Sequence, residues 1–339
     1  MHGNIAIFIP HLGCPHACSF CDQRSISGTE KPVTPEEVST LLKEAFSREP
    51  DPASTEIAFF GGSFTCIPQA EMETFLQAAE PYVKAKACTG IRISTRPDGI
   101  SPKVLELLGA YGVTAIELGA QSLDDGVLSQ NGRGHTAEDV RRACAVIQES
   151  RYGFSLGLQI MVGLPGDSRK IWERTVEEVL QLKPDTLRIY PTVVLRGTEL
   201  ERLTRERLYT PLTTDEAVDW VAHVLPRFEA AGIRVIRVGL HASRSLEEKL
   251  IAGAYHPAFR ELCEGRLYRE KLAAELGKYS PGTALELFTA PRELSKAAGQ
   301  KRENLRWAEA QGYRLKLRSD AALAAGELRI SPKSLQKST

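Results

Sequence analysis

Three cysteines, Cys14, Cys18 and Cys21, fall within eight residues, spaced by three residues and then by two. Thiolates are soft ligands and suit iron–sulfur clusters and zinc. An all-cysteine [4Fe–4S] site needs a fourth thiolate close by, and the next cysteine, Cys66, lies far along the chain. Three cysteines on one loop can hold three irons of a cubane and leave the fourth open to another ligand. The zinc reading recruits His11 or His16 as fourth ligand, without the paired C-x2-C and H-x3-H spacings usual for zinc. A third reading makes the cysteines small buried hydrophobes. Pro15 and the polar neighbours speak against it, because they mark a loop.

The elements around this loop read as an α/β chain. The apolar run Ile5 to Ile9 is a strand, and the cysteines follow it directly, where α/β barrels keep their chemistry. Further strands are expected at 56–60, 91–94, 114–119, 154–160 and 186–190, alternating with helices. Thr34, Pro35 and Glu37 form a capping box for a helix reaching Phe46, and Thr136 with Asp139 caps another. Phe75, Leu76 and Ala79 share one face of a helix over Gln69 to Val83. A seventh run, Ile233 to Leu240, alternates apolar and basic residues and is expected to end the sheet as an antiparallel addition. The expected fold is an open (β/α)6 partial TIM-type barrel over residues 1–242, followed by a small C-terminal α+β appendix over 243–339. Leu195 to Pro211 is longer than a normal β–α link and reads as a lid or substrate loop. In the appendix Leu315 and Leu317 alternate with Lys316 and Arg318, a strand with a basic side, within a segment where basic residues outnumber acids.

Composition narrows the class. The chain has 339 residues, enough for one large and one small domain. Its 42% hydrophobic and 25% charged residues are the balance of a soluble globular protein. A net charge of zero gives no global field toward nucleic acid or membrane. No apolar run is long enough for a membrane span, and the first residues read as a strand instead of a signal peptide. Seven cysteines, three of them in one loop, fit a reducing cytoplasm better than a disulfide scaffold.

Other candidate residues sit at the strand ends. Gly61-Gly62-Ser63 allows close backbone approach to a ligand, or makes a tight turn. Arg96 and Asp98 leave the third strand, and Glu117 within the fourth needs a partner or a polar interior. Gln121 and Ser122 follow the fourth strand, and Gln159 and Gly163 mark the end of the fifth. Arg133 and His135 are polar tips of a loop. Arg188 and Tyr190 share a face of the sixth strand, where Arg188 can pair with an anion. Cys66 is a structural cysteine or a thiol beside the site, and Cys263 is expected to face the core.

The C-x3-C-x2-C loop, with Phe20 just before its last cysteine, resembles the signature of the radical S-adenosylmethionine (SAM) superfamily. That resemblance implies that Cys14, Cys18 and Cys21 bind a [4Fe–4S] cluster whose open iron takes the amino and carboxylate groups of SAM. An electron then cleaves SAM to methionine and a 5′-deoxyadenosyl radical, which abstracts hydrogen from substrate. It implies further that Phe20 packs near the adenine. Gly61-Gly62 resembles the motif that binds the SAM amino group, although Ser63-Phe64 stand where many relatives have an acidic residue. Gly119-Ala120-Gln121-Ser122 matches a stretch of the oxygen-independent coproporphyrinogen oxidase and Elongator-like branches, which implies that Gln121 and Ser122 lie near the SAM and substrate cavity. Gln159 and Gly163-Leu164-Pro165-Gly166 would lie beside the sugar and adenine, and Arg188 would reach the SAM carboxylate or a substrate anion.

The stretches Arg133-Gly134-His135-Thr136, Gly163 to Gly166 and Arg188-Ile189-Tyr190-Pro191 are most similar to the catalytic subunit of Elongator (Elp3-like proteins). Those relatives carry an acetyltransferase domain, which this sequence is expected to lack, together with the long basic N-terminal region they use on tRNA. The resemblance implies an electron donor of the flavodoxin or ferredoxin type and an RNA substrate, tRNA included. The alternatives are radical chemistry on a small porphyrin-like or carboxylated metabolite held by Arg96, Arg133 and Arg188, or a non-catalytic iron–sulfur protein.

Overall fold

The structure is a computed structural model and describes residues 3–15, 18–22, 31 and 33–332. His16 and most of the loop that begins at Ser25 lie outside the described residues. Strands β1 (Gly3–Phe8), β2 (Thr55–Phe60), β3 (Ile91–Thr95), β4 (Val113–Gln121), β5 (Ser155–Val162) and β6 (Thr186–Pro191) pair in sequence order. A short β7 (Val193–Leu195) leaves this sheet, and β8 (Arg234–Val238) completes it beside β6. The result is a curled, partial parallel barrel with β1 and β8 as its edges.

The seventh strand is parallel, against the expected antiparallel addition. Between β6 and β8 the chain passes through helices at Glu199–Arg205, Thr214–Ala222 and Leu225–Ala230. A crossover of that length returns the chain to the end of the sheet from which β6 started, which makes the pair parallel.

Alternation along each strand separates two chemistries. Ile57, Phe59, Ile91, Ile93, Ile116, Leu118, Leu158, Ile160, Leu187 and Ile189 are all buried and face the helices. Phe59, Phe64 and Phe75 pack there with ring centroids 4.9 to 6.5 Å apart. The opposite face carries Glu56, Phe60, Arg92, Glu117, Gln159, Arg188 and Tyr190, one or two per strand. This concave face is polar, and it lies below the loops at the C-terminal strand ends. Both capping boxes expected from sequence are present, Thr34 with Glu37 and Thr136 with Asp139.

The chain divides into two compact units, residues 1–214 with 227–255, and 215–226 with 256–339. The first also holds β9 (Leu250–Gly253), antiparallel to β7. The second is α+β: a helix over Phe259–Leu276 and a sheet of β10 (Ala284–Thr289), β11 (Arg314–Ser319) and β12 (Leu328–Pro332), in the order β11-β10-β12. Leu272, Leu276, Leu285, Leu287, Ala308 and Ile330 form its core, with Leu315 and Leu317 packed against it. Arg314, Lys316 and Arg318 are exposed on the other side of β11. Cys263 is fully buried, as expected. Among the described residues, no helix is long and apolar enough to cross a membrane.

Candidate active site

The cysteine loop is laid backbone to backbone on the end of β2. Ile9 N donates to Phe60 O (2.8 Å), His11 N to Gly61 O (2.9 Å) and Ser63 N to Leu12 O (2.8 Å). A Cβ on Gly62 would sit 2.4 Å from Leu12 O and 2.7 Å from Ile9 O, and one on Gly13 (φ +72°) would sit 2.3 Å from Ser63 O. Glycine at both positions is therefore required for the fit. The close approach at Gly62, read from sequence as room for a ligand or as a tight turn, is made here by the carbonyls of the cysteine loop. Ser63 is buried, with Oγ 3.5 Å from Cys14 Sγ.

The second half of the loop is held from the other side. Ser19 N donates to Asn131 O (3.2 Å), and Ser19 Oγ donates to Asn131 Oδ1 (2.7 Å). Asn131 is fully buried, and its Nδ2 donates to Val127 O and Pro165 O. The sequence reading missed Asn131, because Asn before glycine at a helix end looks like ordinary turn chemistry. Lys249 Nζ lies 2.9 Å from Asp22 Oδ2. Phe20 packs against Val127, Met161 and Leu164. Residues 195–211 are no free lid. They form a helix over Glu199–Arg205 whose Leu200 N donates to Ser19 O (2.8 Å), and Tyr209 Oη donates to Gly163 O (2.6 Å).

Arg133 reaches the cysteines. Its Nη1 lies 2.9 Å from Cys18 Sγ, Nη2 donates to Gly119 O (2.7 Å), and Nε is buried with no partner. His135 Nε2 lies 3.3 Å from Ala120 O, while its Nδ1 is buried without a partner. Burial, then the charges of Arg133 and Arg96, pull the His135 pKa down to about 4. At neutral pH its imidazole is uncharged.

At the end of β4 the register slips between Gly119 and Gln121, and Gln121 adopts φ +67° while buried. A non-glycine residue there is strained and persists only where surrounding contacts hold it. The contacts are on β5: the Gln121 and Gln159 amides exchange two hydrogen bonds, 3.0 and 2.7 Å. Ser122 Oγ accepts from Asp124 N (3.2 Å) and lies 3.4 Å from Thr175 Oγ1, on the helix side of the turn. Gly163 (φ +79°) donates its N–H to Asp167 Oδ2 (3.0 Å), and burial raises the Asp167 pKa to about 6.

Glu117 finds the partners its position demanded. Arg188 donates to it twice (2.7 and 2.9 Å) and Arg92 once (3.0 Å), while Arg92 also binds Glu56. Gly157 makes room for this network, since a Cβ there would lie 2.9 Å from Glu117 Cγ. Arg188, read from sequence as an anion binder, is thus committed to Glu117 and stacks over Phe60 at 5.4 Å. Burial opposes its charge, and Glu117 and Tyr190 outweigh burial, holding its pKa above the usual guanidinium range. Arg96 is buried and paired with Asp98. Cys66 is a half-buried free thiol whose pKa is raised by burial and by Asp98.

Three soft thiols with no fourth cysteine in the loop suit a cluster with one open iron. Among the described residues, three metal-ligating atoms come within 4.8 Å of one another only at Asp219, His223 and Glu270 in the second unit. The loop thiols are spread wider than a single zinc ion requires, about 3.8 Å between sulfurs at a Zn–S distance of about 2.3 Å. The positive Arg133, with its unpartnered Nε, suits thiolates or an anionic group next to them.

A parallel half-barrel with its thiol loop at the first strand end defines an iron–sulfur barrel protein with its chemistry at the C-terminal strand ends. The chain belongs to the radical SAM superfamily: that family matches residues 8–179, just over half of the chain, and the Radical_SAM C-terminal domain matches residues 184–269. The [4Fe–4S] cluster and SAM are the cofactors of this family. The chain is 27% identical over 256 residues to the tRNA uridine(34) acetyltransferase of Dehalococcoides mccartyi, covering 65% of this chain and 55% of that protein. Among solved structures it resembles the archaeal Methanocaldococcus infernus Elp3 (TM-score 0.59, 21% identity, 80% of this chain and 63% of that one). It also resembles the Escherichia coli coproporphyrinogen III oxidase (TM-score 0.50, 17% identity, 67% and 52%). The chain spans about half or less of the length of the curated relatives it matches.

Proposed function

We propose that this chain is a radical SAM enzyme that acts on RNA, tRNA included, with Cys14, Cys18 and Cys21 as the cluster ligands. The observation that carries this reading is the cysteine loop, seated on Gly61-Gly62-Ser63 and met by Arg133 at Cys18. When bound, the cluster supplies the electron that cleaves SAM to methionine and the hydrogen-abstracting 5′-deoxyadenosyl radical. The residues of the chain bind, orient and exclude water. Arg133 places a positive charge where the anionic groups gather. Gln121 and Gln159 offer amide groups on the concave face, and Phe20, with Met161 and Leu164, offers an apolar wall for the adenine. Gly61, Gly62, Ser63, Ser122, Gly163 and Arg188 complete the candidate binding set by position in the fold. Of these, Ser122 and Arg188 support the site through neighbours, since the hydroxyl of one and the charge of the other are already partnered.

The RNA substrate rests on the likeness to the tRNA uridine(34) acetyltransferase. The exposed basic side of β11, Arg314 and Lys316, adds to it, and both charges lack a carboxylate partner among the described residues. A flavodoxin or ferredoxin-like donor and a reducing cytoplasm are what this chemistry calls for. A small carboxylated metabolite is the second reading, favoured by the concentration of arginines on the concave face.

The test is anaerobic reconstitution, with iron and sulfide counted, followed by SAM and dithionite. The expected result is about four irons per chain and formation of 5′-deoxyadenosine, stimulated by an RNA pool and absent in Cys18→Ala. Zinc in place of iron, or a loaded cluster that neither binds nor cleaves SAM, would overturn the enzyme reading. Stimulation by a metabolite extract alone would overturn the RNA substrate.

A further inference from the structure

A bulge in β8 decides which residue stands beside Arg188. The pairing runs Thr186 with Arg234 and Leu187 with Val235, then skips Ile236, so that Arg188 stands opposite Arg237. Without that slip Ile236 would face Arg188 and Arg237 would turn toward the helices. Bulges re-aim side chains in this way and cluster near active sites. The sequence alternation over 233–240 does not reveal it, because Arg234 and Arg237 are three residues apart.

The charges on the concave face are unequal once pairs are removed. Glu56 and Glu117 carry two negative charges, and Arg92 and Arg188 balance them. Arg237 is left over. Its Nε donates to Gly239 O (2.9 Å) and its Nη2 to Leu240 O (2.8 Å), both uncharged carbonyls. No carboxylate among the described residues pairs with it, and no hydrogen bond from its Nη1 is found among them. The two carbonyls fix the plane of the guanidinium at the C-terminal end of β8. Burial holds the Arg237 pKa below its usual range, with Tyr190 opposing the shift and Arg188 adding to it. Glu117 already neutralises Arg188, so Arg237 is the cation on this face that an incoming anion would meet uncompensated.

We propose that Arg237 forms a binding subsite for an oxyanion of the substrate, a phosphate or a carboxylate, at the β8 edge of the barrel mouth. This rests on the radical SAM reading for the word substrate, and the binding itself can be measured without turnover. A guanidinium held by neutral carbonyls through Nε and Nη2, with Nη1 left over and no carboxylate to balance its charge, suits such an anion. Arg188 is less suited to that role, because its Nε and Nη2 donate to Glu117, whose carboxylate already neutralises its charge.

The experiment titrates the reconstituted holoprotein by calorimetry with total tRNA, orthophosphate and citrate in turn. The comparison variants are Arg237→Gln and Arg237→Lys. Arg151→Gln serves as the control, since Arg151 is exposed and precedes the N-terminal end of β5. The expected result is binding of at least one probe, weakened about 10- to 100-fold by Arg237→Gln, partly restored by Arg237→Lys and unchanged in Arg151→Gln. Binding of tRNA alone assigns the oxyanion to a polymer phosphate, and binding of citrate or orthophosphate alone assigns it to a small molecule. Equal affinities for wild type and Arg237→Gln, with both folded by circular dichroism, overturn the subsite. So does the absence of binding by any probe. A wild type that binds anions but forms no 5′-deoxyadenosine overturns the enzyme reading and leaves the subsite standing.

Discussion

Replacing Glu117 with Gln tests the charge arrangement on which the concave face depends. The Glu117 side chain is 6% exposed and joins Arg92 and Arg188, themselves 7% and 14% exposed. The amide keeps the shape and removes the charge. Arg92 retains Glu56, whereas Arg188 loses both charge-assisted contacts and keeps only Tyr190 and the Phe60 ring. Breaking a buried ion pair by removing one partner costs about 3–5 kcal/mol, since the other charge stays buried. Gln still accepts one hydrogen bond, so the lower end, about 3 kcal/mol, is expected. With a urea slope of about 3 kcal/mol/M for a unit of this size, the unfolding midpoint of the reduced, cluster-free protein should fall by about 1 M. Glu117→Gln/Arg188→Gln should recover part of the loss, because the stranded cation is gone, giving a coupling of about 1–2 kcal/mol in the double-mutant cycle. A midpoint shift below about 0.2 M together with strict additivity would refute the argument. Water would then be solvating these arginines, and the reasoning that leaves Arg237 as the unbalanced cation would fall with it.

Gly62→Ala should displace the cysteine loop, because the new methyl meets two backbone carbonyls that cannot rotate away. The cost should be about 1–3 kcal/mol, with cluster content after reconstitution falling well below wild type while circular dichroism stays barrel-like. Arg133→Gln should weaken SAM binding about tenfold or more, read by calorimetry on the loaded protein, since a charge-assisted contact beside Cys18 is removed. The pH dependence of stability should show two opposed contributions. His135 has a folded pKa of about 4, below its unfolded value near 6.5. Its contribution is present above the unfolded pKa and is lost as pH falls from about 6.5 to 4, by roughly 3 kcal/mol. Asp167 has a folded pKa of about 6, above its unfolded value of 3.8, so protonation stabilises the fold as pH falls through the same window. His135→Gln should flatten the acid limb of the denaturation profile and Asp167→Asn should steepen it. Identical profiles for all three proteins would remove both assignments.

Features set by neighbours along the chain were legible in the sequence alone. The three cysteines read as one candidate cluster loop because they lie on one short segment. The capping boxes at Thr34 and Thr136, the burial of Phe75, Leu76 and Ala79, and the basic side of β11 follow from helical or strand period, with each residue placed relative to residues a few positions away. Glu117 announced that it needed a partner, because a carboxylate inside a short apolar strand is costly alone. It could not announce which partner. Arg92 and Arg188 are 25 and 71 residues away, and only the curl of the sheet brings them to one carboxylate. The same holds for Gly62, whose missing side chain makes room for carbonyls some fifty residues upstream, and for Asn131, which fastens Ser19 from the far side. Arg237 shows the limit most sharply. Its face is set by one skipped residue in the β6–β8 pairing, and a slip of one residue turns a side chain from helix to cavity. Local patterns carry the period of a strand, but the register belongs to two strands together and is decided only when they pair.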